Sequence, residues 1–245
     1  MIFRVLEEVD STNSYVSCHA AELDDMTMVI ADSQTAGRGQ RGNSWESAPG
    51  ENLTFTLFWR PQGVAPRDQF AISEATALAV ADFLASAGVE ASVKWPNDIY
   101  VGDRKICGIL IEHSVTSSSI DHSRIGAGIN INQTEFVSDA PNPVSLAQLT
   151  GKRYDISRMA AAVGASLENR LASTATADRR AALHNEFMRR LWRGDGQPHP
   201  FRRRSDGAVF AGVITGVDPG GLLSVLDTET GQTGRYAFKE IEFLL

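Results

Sequence analysis

A seven-residue stretch, Gly194-Asp195-Gly196-Gln197-Pro198-His199-Pro200, divides the 245-residue chain into two textures. Glycine and proline at this density suit a turn-rich connection and interrupt both the helical and the strand periodicity. Beyond it the pattern predicts four short strands, at 209–217, 222–226, 235–237 and 241–244, with turns at Pro219-Gly220-Gly221 and Thr230-Gly231. No helical spacing appears among them. A barrel-like all-β unit of this size, about 45 residues, is too small to hold its own core and is expected to pack on the larger unit before it.

The larger unit mixes both periodicities, which predicts an α+β fold. Strands are expected at 2–9, 27–31, 52–60, 91–95, 99–101, 106–111 and 124–132, with Gly102-Asp103 turning a hairpin. Asp10-Ser11-Thr12-Asn13 supplies a run of N-cap residues for a helix ending near Leu23. Further helices are expected at 67–87, 145–149, 156–171 and 179–191. With 42% apolar residues the chain can build a substantial core, and its net charge of −7 argues against general affinity for nucleic acid or membranes. Arg189, Arg190, Arg193 and Arg202-Arg203-Arg204 read either as a helix end running into a solvated linker or as a phosphate or partner contact. Cys18 and Cys107 stand far apart and the five histidines lack ligand spacing, so no zinc site is expected. No signal segment or membrane-length apolar run is present, and a reducing cytoplasm is the expected location.

The segment Gly37-Arg38-Gly39-Gln40-Arg41-Gly42-Asn43-Ser44-Trp45 carries the first chemical signal. Glycines let backbone approach a ligand closely, arginines match carboxylate and phosphate, and tryptophan presents a flat π-face. The plain alternative is a mobile surface loop. Lys94-Trp95-Pro96-Asn97-Asp98, then Lys105 through Glu112, and Gly126-Ala127-Gly128-Ile129-Asn130 complete an ordered series with Asp10-Ser11-Thr12-Asn13.

In these motifs, and over essentially its whole length, the chain resembles the biotin protein ligases. The resemblance implies a class II aminoacyl-tRNA-synthetase-like catalytic domain of mixed sheet and flanking helices over 1–193, and an SH3-like barrel over 194–245. It implies activation of biotin by ATP with Mg²⁺ to biotinyl-5′-adenylate, then transfer to a lysine of a biotin carboxyl carrier protein. On the same footing, Lys105 sits between the biotin carboxylate and the α-phosphate, Arg38 assists it, and Asp98 orients or deprotonates the acceptor lysine. Ser11, Thr12, Asn13, Gln34, Gly37 and Gly108 join Arg38 and Lys105 around biotin. Gly39, Gln40, Arg41, Trp45, Lys94, Asn97 and Asn130 join Arg38 around the nucleotide, with Trp45 covering the adenine. No paired-carboxylate motif announces metal ligands; the phosphates are expected to hold the magnesium.

Each residue also has a structural reading. Ser11 and Thr12 suit helix capping, Trp45 suits core packing beside Phe55, and Asn97-Asp98 suits a turn. Lys94 falls in an expected buried strand, where an unpaired ammonium is costly, and so needs a partner. Two departures from the family pattern stand out. Gln40 replaces an arginine present in many members, which implies weaker retention of the adenylate. The catalytic pattern starts within about ten residues of Met1, which leaves no expected DNA-binding domain. The rival expectations are a lipoate or octanoate ligase, a non-catalytic biotin or nucleotide sensor, and an interaction protein acting through its C-terminal unit. A monomer and a homodimer are both compatible with the sequence.

Overall fold

The computed structural model describes residues 1–137 and 142–244, without the side chain of Arg41. Seven strands, β1 (Ile2–Val9), β2 (Thr27–Gln34), β3 (Leu53–Trp59), β4 (Ser92–Lys94), β5 (Asp98–Val101), β6 (Arg104–Val115) and β7 (Ile120–Ile129), form one sheet. Its order is β1-β2-β3-β7-β6-β5-β4. Only β1 and β2 run parallel, joined through helix α1 (Thr12–Cys18); the other neighbours are antiparallel, so the sheet is mixed.

Strand alternation assigns the two faces. Along β3, Leu53, Phe55, Leu57 and Trp59 enter the main core, while Phe58 packs on the other side with Val16 of α1, Leu23 and Val29. The main core is roofed by α2 (Phe70–Ser86), α4 (Ile156–Leu171) and α5 (Ala177–Arg189), with the short α3 (Leu146–Thr150) between β7 and α4. Twelve of the 17 residues of α2 are buried, because α4 and α5 cover the side that the sheet does not. One of them, Glu74, meets His184 of α5 at 2.6 Å. Arg170 of α4 likewise clamps Asp82 of α2 and Glu186 of α5, each at 2.6 Å.

The C-terminal unit is a five-stranded antiparallel sheet of β8 (His199–Arg203), β9 (Val209–Val217), β10 (Leu223–Asp227), β11 (Thr233–Tyr236) and β12 (Ile241–Phe243). The order β11-β10-β9-β8-β12 leaves the two outer strands unjoined among the described residues, so the closed barrel expected from the sequence is not seen. The unit packs on the larger one as anticipated. Trp95 donates its indole N–H to the Gly221 carbonyl at 2.9 Å and meets Phe238 edge-on, and Trp192 meets Phe243.

Three boundaries differ from expectation. Helix α1 stops at Cys18, short of Leu23, which reaches the core from the turn that follows. β7 begins at Ile120 rather than 124 because its long hairpin with β6 pairs Val115 to Ile120. The stretch read as linker holds strand β8, so Arg202 and Arg203 are strand residues facing Glu242 and Asp206. Among the described residues no helix is long and apolar enough to cross a membrane.

Candidate active site

A cavity of about 860 Å³ opens between the start of α1, the Gly-Arg loop, the β6–β7 floor, the Lys94–Asp98 turn and the C-terminal sheet. Its neutral end is built from short polar side chains. Gln34, at the end of β2, accepts through Oε1 from the Thr12 backbone N–H at 2.8 Å and lies 3.3 Å from the Thr12 hydroxyl. Thr56, fully buried on β3, places its hydroxyl 2.9 Å from both Thr12 Oγ1 and Asn13 Oδ1. Asn13 donates onward to the Leu110 carbonyl at 3.4 Å. Ser11 stands at the N-cap of α1 but makes no side-chain cap bond, so its hydroxyl is not spent on the helix where it lines the cavity.

The other end is cationic. Lys105 Nζ lies 2.7 Å from Asp98 Oδ1, both side chains being only about a fifth exposed at 23% and 22%. Lys94 donates to the Tyr100 hydroxyl at 2.8 Å and sits over the rings of Tyr100, Trp192 and Phe243. This is the partner its burial required. Desolvation pushes its ammonium below the ordinary lysine range, with Asp98 pulling the other way. Arg38 holds Glu112 at a loose 3.4 Å, and Glu112 is shared with Arg124 at 3.5 Å.

Between the two ends lies Trp45. Gly108 and Gly128 face each other across β6 and β7, and the indole rests on both. A Cβ at Gly128 would overlap the ring, and one at Gly108 would sit 3.0 Å from it, so glycine is needed here for close approach. Lys105 Nζ lies 5.7 Å from the ring centroid. The indole N–H is buried with no hydrogen-bond partner. Trp45 thus lies over the β6–β7 floor of the cavity and is not packed in the main core.

Among the other expected site residues, Gly37 receives the Trp45 backbone N–H at 3.0 Å, and Gly39 and Gln40 border the cavity from the loop. The Arg41 side chain lies outside the described residues. Asn97 borders the cavity, but its amide is committed to the Ile109 carbonyl at 2.6 Å and fastens the turn to β6. Asn130 stands just past β7, with its Oδ1 buried and without a hydrogen-bond partner among the described residues. It is buried, donates to the Val144 carbonyl at 3.1 Å and is not among the cavity residues, because β7 carries it past the floor toward α3. Thr56, Glu112, Arg124 and, from the C-terminal unit, Glu242 were not singled out as site residues, and Arg204 only as part of an arginine cluster open to a phosphate or partner contact. Thr56 left only a shared trace, as one of two threonines alternating with apolar residues in Leu53-Thr54-Phe55-Thr56-Leu57.

The sequence profile of the "Biotin/lipoate A/B protein ligase family" matches residues 5–130, just over half of the chain. The chain belongs to this family. A "Biotin--[acetyl-CoA-carboxylase] ligase" of Paracoccus denitrificans is 30% identical over 226 residues, which is 89% of this chain and 92% of that protein. The "Bifunctional ligase/repressor BirA" of Escherichia coli is 41% identical over 129 residues, 52% of this chain and 40% of that protein. The chain spans about half the length of the bacterial ligase/repressors it matches. A solved "Biotin protein ligase from Aquifex aeolicus in complex with biotin and ATP" shares the fold with TM-score 0.79 at 23% identity, over 98% of this chain and 97% of that one.

The family match contains both ends of the cavity and stops before the C-terminal wall. Among the described residues no group of three His, Cys, Asp or Glu could hold a metal ion. The carboxylates lining the cavity, Asp98 and Glu242, already face Lys105 and the Arg202–Arg204 pair.

Proposed function

We propose that this member of the family is a biotin protein ligase, converting biotin and ATP to biotinyl-5′-adenylate and passing the biotinyl group to a lysine of a biotin carboxyl carrier protein. The observation that carries the reading is the polarity of one cavity. Fixed neutral donors and acceptors stand at one end, and Lys105, Arg38 and Lys94 at the other. The names of the Paracoccus and Escherichia relatives support it. The small C-terminal sheet is read as the SH3-like unit of such ligases, with 1–193 as the catalytic domain and 194–245 as that unit.

In the first step a carboxylate oxygen of biotin attacks the α-phosphorus, and the bond to pyrophosphate breaks. Two anions must approach each other, so the site needs fixed positive charge between them. Lys105 is placed for this, provided it exchanges Asp98 for the ligands. Arg38, half exposed and weakly held by Glu112, can turn inward onto carboxylate or phosphate. Ser11, Thr12 and Gln34 suit a ureido group with its own fixed donors and acceptors, and Thr56 holds Thr12 and Asn13 in place. Trp45 lifts from the glycine floor and returns over the adenine. In the second step the acceptor amine attacks the acyl carbon and AMP leaves. Asp98, freed by Lys105, accepts the proton that the incoming ammonium must lose. Magnesium would accompany the ATP phosphates, which supply most of its oxygen ligands.

The test is incubation with biotin, ATP, magnesium and a biotin-carrier domain, with Lys105→Ala as control. Biotin on the carrier lysine supports the proposal; no transfer by the wild type overturns it. The family also includes lipoate ligases, so pyrophosphate exchange dependent on biotin and not on lipoate is the required companion result.

A further inference from the structure

The three consecutive arginines Arg202-Arg203-Arg204 have different partners in the fold. Arg203 turns to Asp206 at 2.9 Å and lies over the Phe210 ring. Arg202 stands opposite Glu242 in the β8–β12 register and meets its Oε2 at 3.1 Å. Arg204, just past the end of β8, reaches the same oxygen at 3.2 Å. Of the three, Arg204 borders the large cavity, beside Glu242. Its backbone is fixed, the N–H donating to the Glu240 carbonyl at 2.8 Å, while its side chain is 58% exposed. The guanidinium is therefore held at its root and free at its tip. Because Arg202 keeps the Glu242 carboxylate, Arg204 can turn away without stranding a charge.

The charges along this wall alternate. Lys105 meets Asp98 at 2.7 Å. Asp98 and Glu242 are the carboxylates that act on the Lys94 ammonium, which lies 5.8 Å from the ring of Phe243, the neighbour of Glu242 in β12. Glu242 leads in turn to Arg204. From the floor of the cavity to the C-terminal unit the order is cation, carboxylate, cation, carboxylate, cation. Three cations thus follow one another along one wall. A run of linked phosphates is the ligand whose negative charges repeat in the same way, and it can displace Asp98 from Lys105 and Glu242 from Arg204.

We propose that Arg204 binds the terminal phosphates of ATP and stays on the pyrophosphate as it leaves, so that the C-terminal unit completes the far end of the nucleotide site. This rests on the ligase reading of the same cavity. When the carboxylate oxygen of biotin bonds to the α-phosphorus, the bond from that phosphorus to the bridging oxygen breaks. Its electron pair stays with the pyrophosphate, and no proton moves. The charge gained there falls beyond the reach of Lys105 alone. A guanidinium fork can take two phosphate oxygens at once, and it meets that charge where it develops. Glu242 passes wholly to Arg202 as the phosphates arrive. AMP and biotinyl-5′-adenylate lack these phosphates, so Arg204 serves adenylate formation and not the transfer that follows.

Calorimetric titration of the full chain with ATP and with AMP, each in the presence of magnesium, tests this. Arg204→Ala is expected to weaken ATP binding about ten-fold and to leave AMP unchanged. Arg204→Lys keeps the charge without the fork and should recover part of the loss. Arg203→Ala, which removes a side chain turned to Asp206, should change neither. In the ligase assay Arg204→Ala should raise the KM for ATP about ten-fold and leave the KM for biotin unchanged. Supplied with biotinyl-5′-adenylate, it should label a carrier lysine within about two-fold of the parent rate. Undiminished ATP affinity in Arg204→Ala overturns the inference. So does an equal loss for ATP and AMP, or transfer from supplied adenylate that falls as far as adenylate formation, since either makes Arg204 a structural support. A parent whose ATP binding depends on Arg204 but which shows no biotin-dependent exchange overturns the ligase reading and leaves the arginine's phosphate contact standing.

Discussion

The two ends of the cavity are built on different principles. At the neutral end Thr12, Asn13, Gln34 and Thr56 form a closed set of contacts between 2.8 and 3.3 Å, anchored on α1, β2 and β3. At the cationic end the contacts are ones that a ligand can replace. Arg38 is half exposed and holds Glu112 at 3.4 Å, Lys105 is paired with a carboxylate, and Trp45 buries an indole N–H with no partner. A preformed pocket recognises without reorganising. In the proposed reaction the site holds ATP, then an adenylate, then releases AMP, a sequence that benefits from partners that exchange. One cavity thus combines a rigid recognition half with a half whose internal pairs stand where ligand groups will go.

The largest effect should come from removing the charge at the junction. Lys105→Ala is expected to lower biotin-dependent ATP–pyrophosphate exchange by roughly 10²–10³-fold, the usual loss for one preorganised electrostatic group. Its thermal unfolding should barely move, since the Lys105–Asp98 pair is partly exposed. An equal fall in melting temperature and activity would mean that Lys105 acts through folding. Thr56→Val probes the rigid half. It keeps the volume and strips a buried hydroxyl from two polar neighbours, a loss of roughly 1–2 kcal/mol. The KM for biotin should rise about ten-fold, with the KM for ATP unchanged. If both rise together, the two halves are not separable.

The same contrast explains what was legible in the sequence. The strands of the larger sheet follow an alternating apolar pattern, and most were placed within a few residues. The cationic half lies on local motifs, so Arg38, Trp45, Lys94, Asp98 and Lys105 could be picked out, and all five border the cavity. The rigid half depends on distant segments meeting. Thr56 matters because β3 passes beneath α1 at one particular register, which no local pattern encodes. Glu112 and Arg124 pair across the β6–β7 hairpin at positions the sequence presents as ordinary strand residues. Asn130 was visible as a motif position, but its hydrogen bond to Val144 past the end of β7 was not. Pro198 and Pro200 masked β8. Pro200 serves there through its carbonyl alone, taken by the Leu244 N–H at 3.1 Å.

A smaller effect is expected at Gln40, which borders the cavity from the turn Gln40–Gly42. Glutamine offers hydrogen bonds without charge. Gln40→Arg adds a cation to the exchanging half and should slow escape of biotinyl-adenylate several-fold, as one added charge-assisted contact would. Rapid filtration of enzyme preloaded with radiolabelled biotin reads the rate directly. An unchanged rate would show that the loop's grip does not depend on charge at this position.

The smallest expected effect is a pH dependence confined to one substrate. Lys94 is caged by Tyr100, Trp192 and Phe243, and burial lowers its pKa from the ordinary 10.5. As pH rises, its ammonium therefore loses its proton before an exposed lysine would, and attraction for the triphosphate is lost with it. The KM for ATP should climb on the alkaline side, about two- to three-fold for loss of a single partly screened contact. The KM for biotin should stay flat, because its pocket consists of hydroxyls and amides that do not titrate there. Lys94→Arg keeps its charge throughout the range. Its ATP profile should flatten even if the bulkier guanidinium fits the aromatic cage poorly and raises KM at every pH. A shape unchanged by that substitution would move the titration to another group and leave Lys94 as a support for Tyr100 alone. The cationic half would then reduce to Lys105 and Arg38, and the contrast between the two ends of the cavity would rest on those two residues.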